Sequence, residues 1–78
     1  AEGKLDDAIG SYRKALEIQP DYAEVHNQLG EIYFSQGKIA EAIASLQLAL
    51  KLQPNFAAAY KTFGNALQAQ GKLDEAIG

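Results

Sequence analysis

Apolar side chains recur along this chain three and four residues apart, the spacing of one helical face. Tyr22, His26, Leu29 and Tyr33 share such a face, with Val25 and Ile32 on its flank, and Gly37 follows Gln36 as a left-handed stop, which predicts a helix over 22–36. After the Gly37-Lys38 turn, Ile39, Ala42, Ile43, Leu46, Ala49, Leu50 and Leu52 mark a second helix that Pro54 ends. The same reading gives a helix over about 5–19, another over about 56–70, and a stub over 73–78. No useful stretch alternates with period two, so no strands are expected. Asp21 follows Pro20 and stands three residues before Glu24, a capping-box arrangement expected to open the helix at 22.

The pattern repeats at a fixed distance. "GKLDDAIG" at Gly3–Gly10 returns as "GKIAEAIA" at Gly37–Ala44 and as "GKLDEAIG" at Gly71–Gly78, 34 residues apart each time. Sliding the chain by that distance makes 17 of 44 aligned pairs identical, and the identities fall on packing and punctuation positions: Ala8/Ala42/Ala76, Ala15/Ala49, Pro20/Pro54, Ala23/Ala57 and Gly30/Gly64. A period of this size signals stacked two-helix units in place of one closed globule. It divides the chain into 1–20, the second helix of an incomplete unit; 21–54, a complete unit; and 55–78, a first helix and the start of a second. The chain thus reads as a window on a longer array. The first and last ten residues agree at eight positions, against four between 1–10 and 35–44, which is compatible with a two-unit super-repeat.

Gly30 and Gly64 fall mid-helix, where glycine costs about 1 kcal/mol against alanine, so each predicts a close crossing by its partner helix, with Ala42 and Ala76 as the small residues that permit it. Leu29, Tyr33, Leu46 and Phe63 are the bulk expected to interlock around them. Leu5, Ile9, Leu73 and Ile77 lack obvious covering partners at the two ends, which predicts association through those ends.

Composition narrows the function. The 78 residues are 47% hydrophobic and contain no cysteine and one histidine, so a disulfide framework or thiolate site is excluded and a metal site is not expected. A net charge of -3 with no Lys/Arg cluster disfavours nucleic acid and anionic lipid, and no apolar run is long enough for a membrane span or signal peptide. A cytoplasmic location is the expectation. The carboxylate pairs Asp6/Asp7 and Asp74/Glu75 resemble acid/base pairs, but each is expected in the first turn of a helix, where negative charge favours the macrodipole. Lys4, Lys38 and Lys72 recur in every copy, as architecture does. His26 has no nucleophile near it in sequence and reads as a packed histidine. No enzyme and no cofactor are indicated.

These residues resemble the tetratricopeptide repeat, whose 34-residue signature is W-x2-L-G-x2-Y, A-x3-F and P. His26, Leu29, Gly30 and Tyr33 fill the first element, Ala42 and Leu46 the second, and Pro54 the third. Tyr60, Phe63, Gly64 and Leu67 begin the next copy, and Ala8, Tyr12 and Pro20 close the previous one. His26 stands where the family has a large aromatic, and Leu46 and Leu67 replace aromatics with aliphatic bulk.

The resemblance implies an all-α architecture of antiparallel helix-turn-helix units stacked as a right-handed α-solenoid. It also implies a protein-interaction module that takes an extended peptide or a partner helix in a concave groove lined by first helices. The matching positions are Glu24, Asn27, Gln28, Glu31 and Phe34 in the complete unit, and Lys61, Thr62, Asn65 and Gln68 in the next. As a polar stripe they read equally as a solvated face. Lys61 and Asn65, one turn apart, resemble the pair with which chaperone-binding members hold a peptide's terminal carboxylate, although Glu24 and Glu31 oppose an acidic ligand. Two other readings stay open: head-to-tail self-assembly into homo-oligomers, and an accessory array of a larger enzyme such as a glycosyltransferase. The asparagine ladder of the latter is not matched, since Gln28 and Thr62 hold those places. RNA reading of the pentatricopeptide kind conflicts with the acidic charge.

Overall fold

The computed structural model describes the backbone of residues 2–77 and the side-chain surroundings of residues 4–73. Four helices make it up: α1 (Glu2–Ile18), α2 (Ala23–Ser35), α3 (Ile39–Leu52) and α4 (Ala57–Ile77). Each packs on its neighbours in sequence, with one further contact between α2 and α4. The result is an all-helical repeat solenoid, a slab 41 × 32 × 16 Å in extent.

The α2–α3 hairpin is the best-packed part, and its turn follows from local chemistry. Gly37 takes φ +79°, the left-handed conformation that a side chain disfavours. Its N–H donates to the Phe34 carbonyl at 3.0 Å, and the Lys38 N–H reaches back to the Tyr33 carbonyl at 2.8 Å. This is the Schellman pair of bonds, which satisfies two of the carbonyls a helix end leaves open.

The start of α2 departs from expectation. Tyr22 is the N-cap and no side chain bonds the helix end, so the capping box of Asp21 and Glu24 does not form. A turn does the work in its place. The Tyr22 N–H donates to the Gln19 carbonyl at 3.3 Å, and the N–H groups of Val25 and His26 both converge on the Tyr22 carbonyl. His26, buried as a packed histidine, ties the turn down through its Nε2, which donates to the Pro20 carbonyl at 3.0 Å.

Two apolar clusters form the core. Val25, Leu29, Tyr33 and Ala42 make the first, against which Ile9, Tyr12, Ala15 and Leu16 of α1 pack. Leu46, Ala49, Ala59 and Ala66 make the second, with Ile43, Leu50, Phe56 and Phe63 at its edge. Phe34 touches both and joins the hairpin to α4. Arg13 of α1 also donates to the Tyr33 hydroxyl at 3.0 Å.

Gly30 is the close crossing that its position predicts, but the partner differs. A Cβ at residue 30 would lie 2.5 Å from Cγ of Leu46, so the notch receives Leu46 itself and not the small Ala42 beside it. Leu46 is 0% exposed and is the largest side chain so completely enclosed. At Gly64 the expected crossing is absent. A Cβ there would meet nothing within 4 Å. The side chain of Ala76, its expected partner, lies outside the described residues, and the α4 backbone carries that residue three turns onward along the same helix.

That placement reflects the largest departure from the sequence reading. The helix over 56–70 and the stub over 73–78 are one helix, because α4 runs without interruption through Gly71 and Lys72 to Ile77. The carboxylate pairs move with the boundaries. Asp6 and Asp7 lie in the second turn of α1, and Asp74 and Glu75 lie in the last turn of α4, the end where the macrodipole disfavours negative charge.

Candidate functional site

The seam between α2 and α4 organises the residues singled out in sequence. Phe34 turns into it and packs with the cluster containing Ala59 and Ala66. Asn27 lies two turns before Phe34 on the same face and is only 6% exposed. Its Nδ2 donates to Glu31 Oε1 at 3.3 Å, while its Oδ1 is buried without a hydrogen-bond partner among the described residues. Thr62 of α4 is half-buried, and its hydroxyl donates to the Ala58 carbonyl at 3.4 Å. Phe34 therefore packs at the seam, Asn27 is buried on α2 and Thr62 half-buried on α4, and Asn27 does not present its amide to solvent.

Glu24, Gln28 and Glu31 remain exposed on α2, and Lys61, Asn65 and Gln68 remain exposed on α4. Glu24, Gln28 and Glu31 form an acidic stripe beside the seam, since residues three, four and seven apart fall on one side of a helix. Lys61 and Asn65 stand one turn apart on α4 and supply a cation and an amide.

Beside the end of α4 lies an open apolar cavity of about 360 Å³, lined by Gly37, Ile39, Ala69, Lys72 and Leu73. It exists because α4 continues past the α2–α3 turn. Among the described residues no group of three His, Cys, Asp or Glu side chains is placed to hold a metal ion, and no helix is long and apolar enough to cross a membrane.

Two features escaped the sequence. The hydrogen bond from Arg13 to Tyr33 has no signature at a separation of 20 residues. The burial of Asn27 did have one, because Asn27 and the large apolar Phe34 are seven residues apart and share a face. A family model described as TPR repeat matches the chain twice, over residues 1–37 and over residues 30–71. No curated protein matches it significantly.

Proposed function

Because this chain belongs to the TPR repeat family, whose repeats generally mediate protein–protein interaction, we propose that it binds an extended peptide along the exposed stripes of α2 and α4. The observation that carries this reading is the charge division between the two helices, with Glu24 and Glu31 exposed on α2 and Lys61 beside Asn65 exposed on α4. A peptide with a free C-terminal carboxylate at Lys61 and Asn65, and a basic residue toward Glu24 and Glu31, meets both stripes. Asn27 holds Glu31 from beneath. The ordering cost is borne by contacts on one preformed surface, as in other extended-peptide modes.

The test is a titration of labelled peptides from a library that varies basic residues and compares free acid with amide at the C-terminus. The free acid should bind more tightly, and Lys61→Ala should abolish the difference, a charge-assisted contact being worth about 1 to 3 kcal/mol. Equal binding of acid and amide, unaltered by Lys61→Ala, would overturn the assignment of the carboxylate end.

A further inference from the structure

Around α4 from the Lys61 and Asn65 stripe, on the adjoining face, lies a second surface. In the α2–α3 hairpin, His26, Gly30 and Tyr33 are all buried under α3 and the elements around it. Their counterparts 34 residues later, Tyr60, Gly64 and Leu67, are open: Tyr60 is 53% and Leu67 45% exposed, and the notch at Gly64 is vacant. Since α4 runs straight to Ile77, residues 73–77 do not fold back over this side.

We propose that this open side of α4 is a docking surface for α1 of a second copy of the chain, laid on it as α3 is laid on α2. The occupant is specified by the repeat. α1 carries the pattern of α3 34 residues earlier, with Ala8, Ser11 and Ala15 identical to Ala42, Ser45 and Ala49, and with Tyr12 in the place of Leu46. Tyr12 is then the side chain that enters the Gly64 notch, as Leu46 enters that of Gly30.

The burial of the two helices shows the same half-finished arrangement from the other side. On α3, Ala42, Leu46 and Ala49 are fully enclosed, between α2 and α4. On α1, Ala8, Tyr12 and Ala15 are only half-buried, and Ser11 is exposed where Ser45 is half-buried. α1 spends its Ile9 and Leu16 flank on α2 of its own chain, and Tyr12 and Ala15 also reach that cluster while staying half-buried. That flank is the one through which Ile43 and Leu50 of α3 meet the cluster shared with α4. The flank bearing Ser11 is free. Docking on a second copy therefore completes α1 without detaching it, and the intramolecular α2–α3 interface supplies the geometry. Because one end meets the other, the contact is heterologous and extends into chains unless it closes a ring.

Sedimentation of the 78-residue chain from low micromolar to near millimolar concentration tests this directly. The weight-average mass should rise with concentration. Gly64→Leu blocks the α4 side and Ser11→Arg the α1 side; both alter groups that are exposed in the single chain, so helical circular dichroism should be unchanged while association weakens by about tenfold or more. Mixing the two variants should restore one dimer and nothing larger, because each supplies the surface the other lacks. A mass independent of concentration, an association indifferent to both variants, or a mixture no larger than its components would each overturn the proposal. Ser11→Arg lies on α1, away from the peptide stripes of α2 and α4, so peptide affinity of that variant is an independent readout.

Discussion

The α2–α3 turn and the middle of α4 carry the same two letters and do opposite things. Gly37-Lys38 breaks the chain into a hairpin, with Gly37 at positive φ, whereas Gly71-Lys72 continues as helix. Glycine permits both conformations, so the choice is made elsewhere. Behind Gly37 stands α3, whose Ala42, Leu46 and Ala49 become fully enclosed when the chain turns back. At Gly71 the helix instead continues through Lys72 to Ile77. Continuing the helix adds hydrogen bonds at once, since propagation is the inexpensive step of helix formation. The same two letters thus permit a turn without requiring one, and at Gly37 the turn goes with the enclosure of α3.

Substitutions at matched positions put numbers on that contrast, and urea unfolding followed by circular dichroism at low protein concentration reads each one. The largest effect is expected at Leu46→Ala, which removes the enclosed side chain at the Gly30 notch and should cost about 3 kcal/mol. Gly30→Ala comes next. Its helix propensity is better, but the new Cβ collides with Leu46, so a net loss of about 2 kcal/mol is expected. Gly64→Ala should reverse the sign, raising stability by up to about 1 kcal/mol, because nothing opposes the propensity gain. A loss at Gly64 as large as at Gly30 would mean that the two notches are equally filled and would break the comparison. The turn pair is the finest test: Gly37→Ala should destabilise by about 1 kcal/mol through the left-handed conformation, while Gly71→Ala should stabilise by about 0.5 kcal/mol in a helix near its end.

The legibility of the molecule in its sequence follows the same division. The first three helices, the Gly37 stop, the break at Pro54 and the burial of Leu29, Tyr33 and Ala49 were readable, because each rests on local conformation or on the 34-residue register, whereas the expected break at Gly71 was not made. What misled was local signal that tertiary contact overrode. Asp21 and Glu24 spell a capping box, yet the Gln19–Tyr22 turn and the tie from His26 to Pro20 hold the helix start in another way. Small residues at a crossing suggested Ala42 opposite Gly30, but a glycine notch has room for a knob, and Leu46 fills it. Among the candidate ligand contacts, Asn27 was placed by its polarity, although its neighbour one face-repeat away, Phe34, marks that side of α2 as covered.

The chain of nearest-neighbour contacts also governs how this molecule comes apart. Among the described residues α1 touches α2 and no other helix, while α3 is held from both sides. Opening can therefore begin at α1 and stop there, leaving the hairpin and α4 intact, because no contact outside the α1–α2 interface is lost. Amide exchange should be fastest along α1, slowest through Ala42–Ala49, and graded between them, as it is when stability is a sum of units and interfaces. A single melting temperature would average over that gradient, and the protein's resistance to proteolysis will be set by its least-supported helix well before its core is threatened.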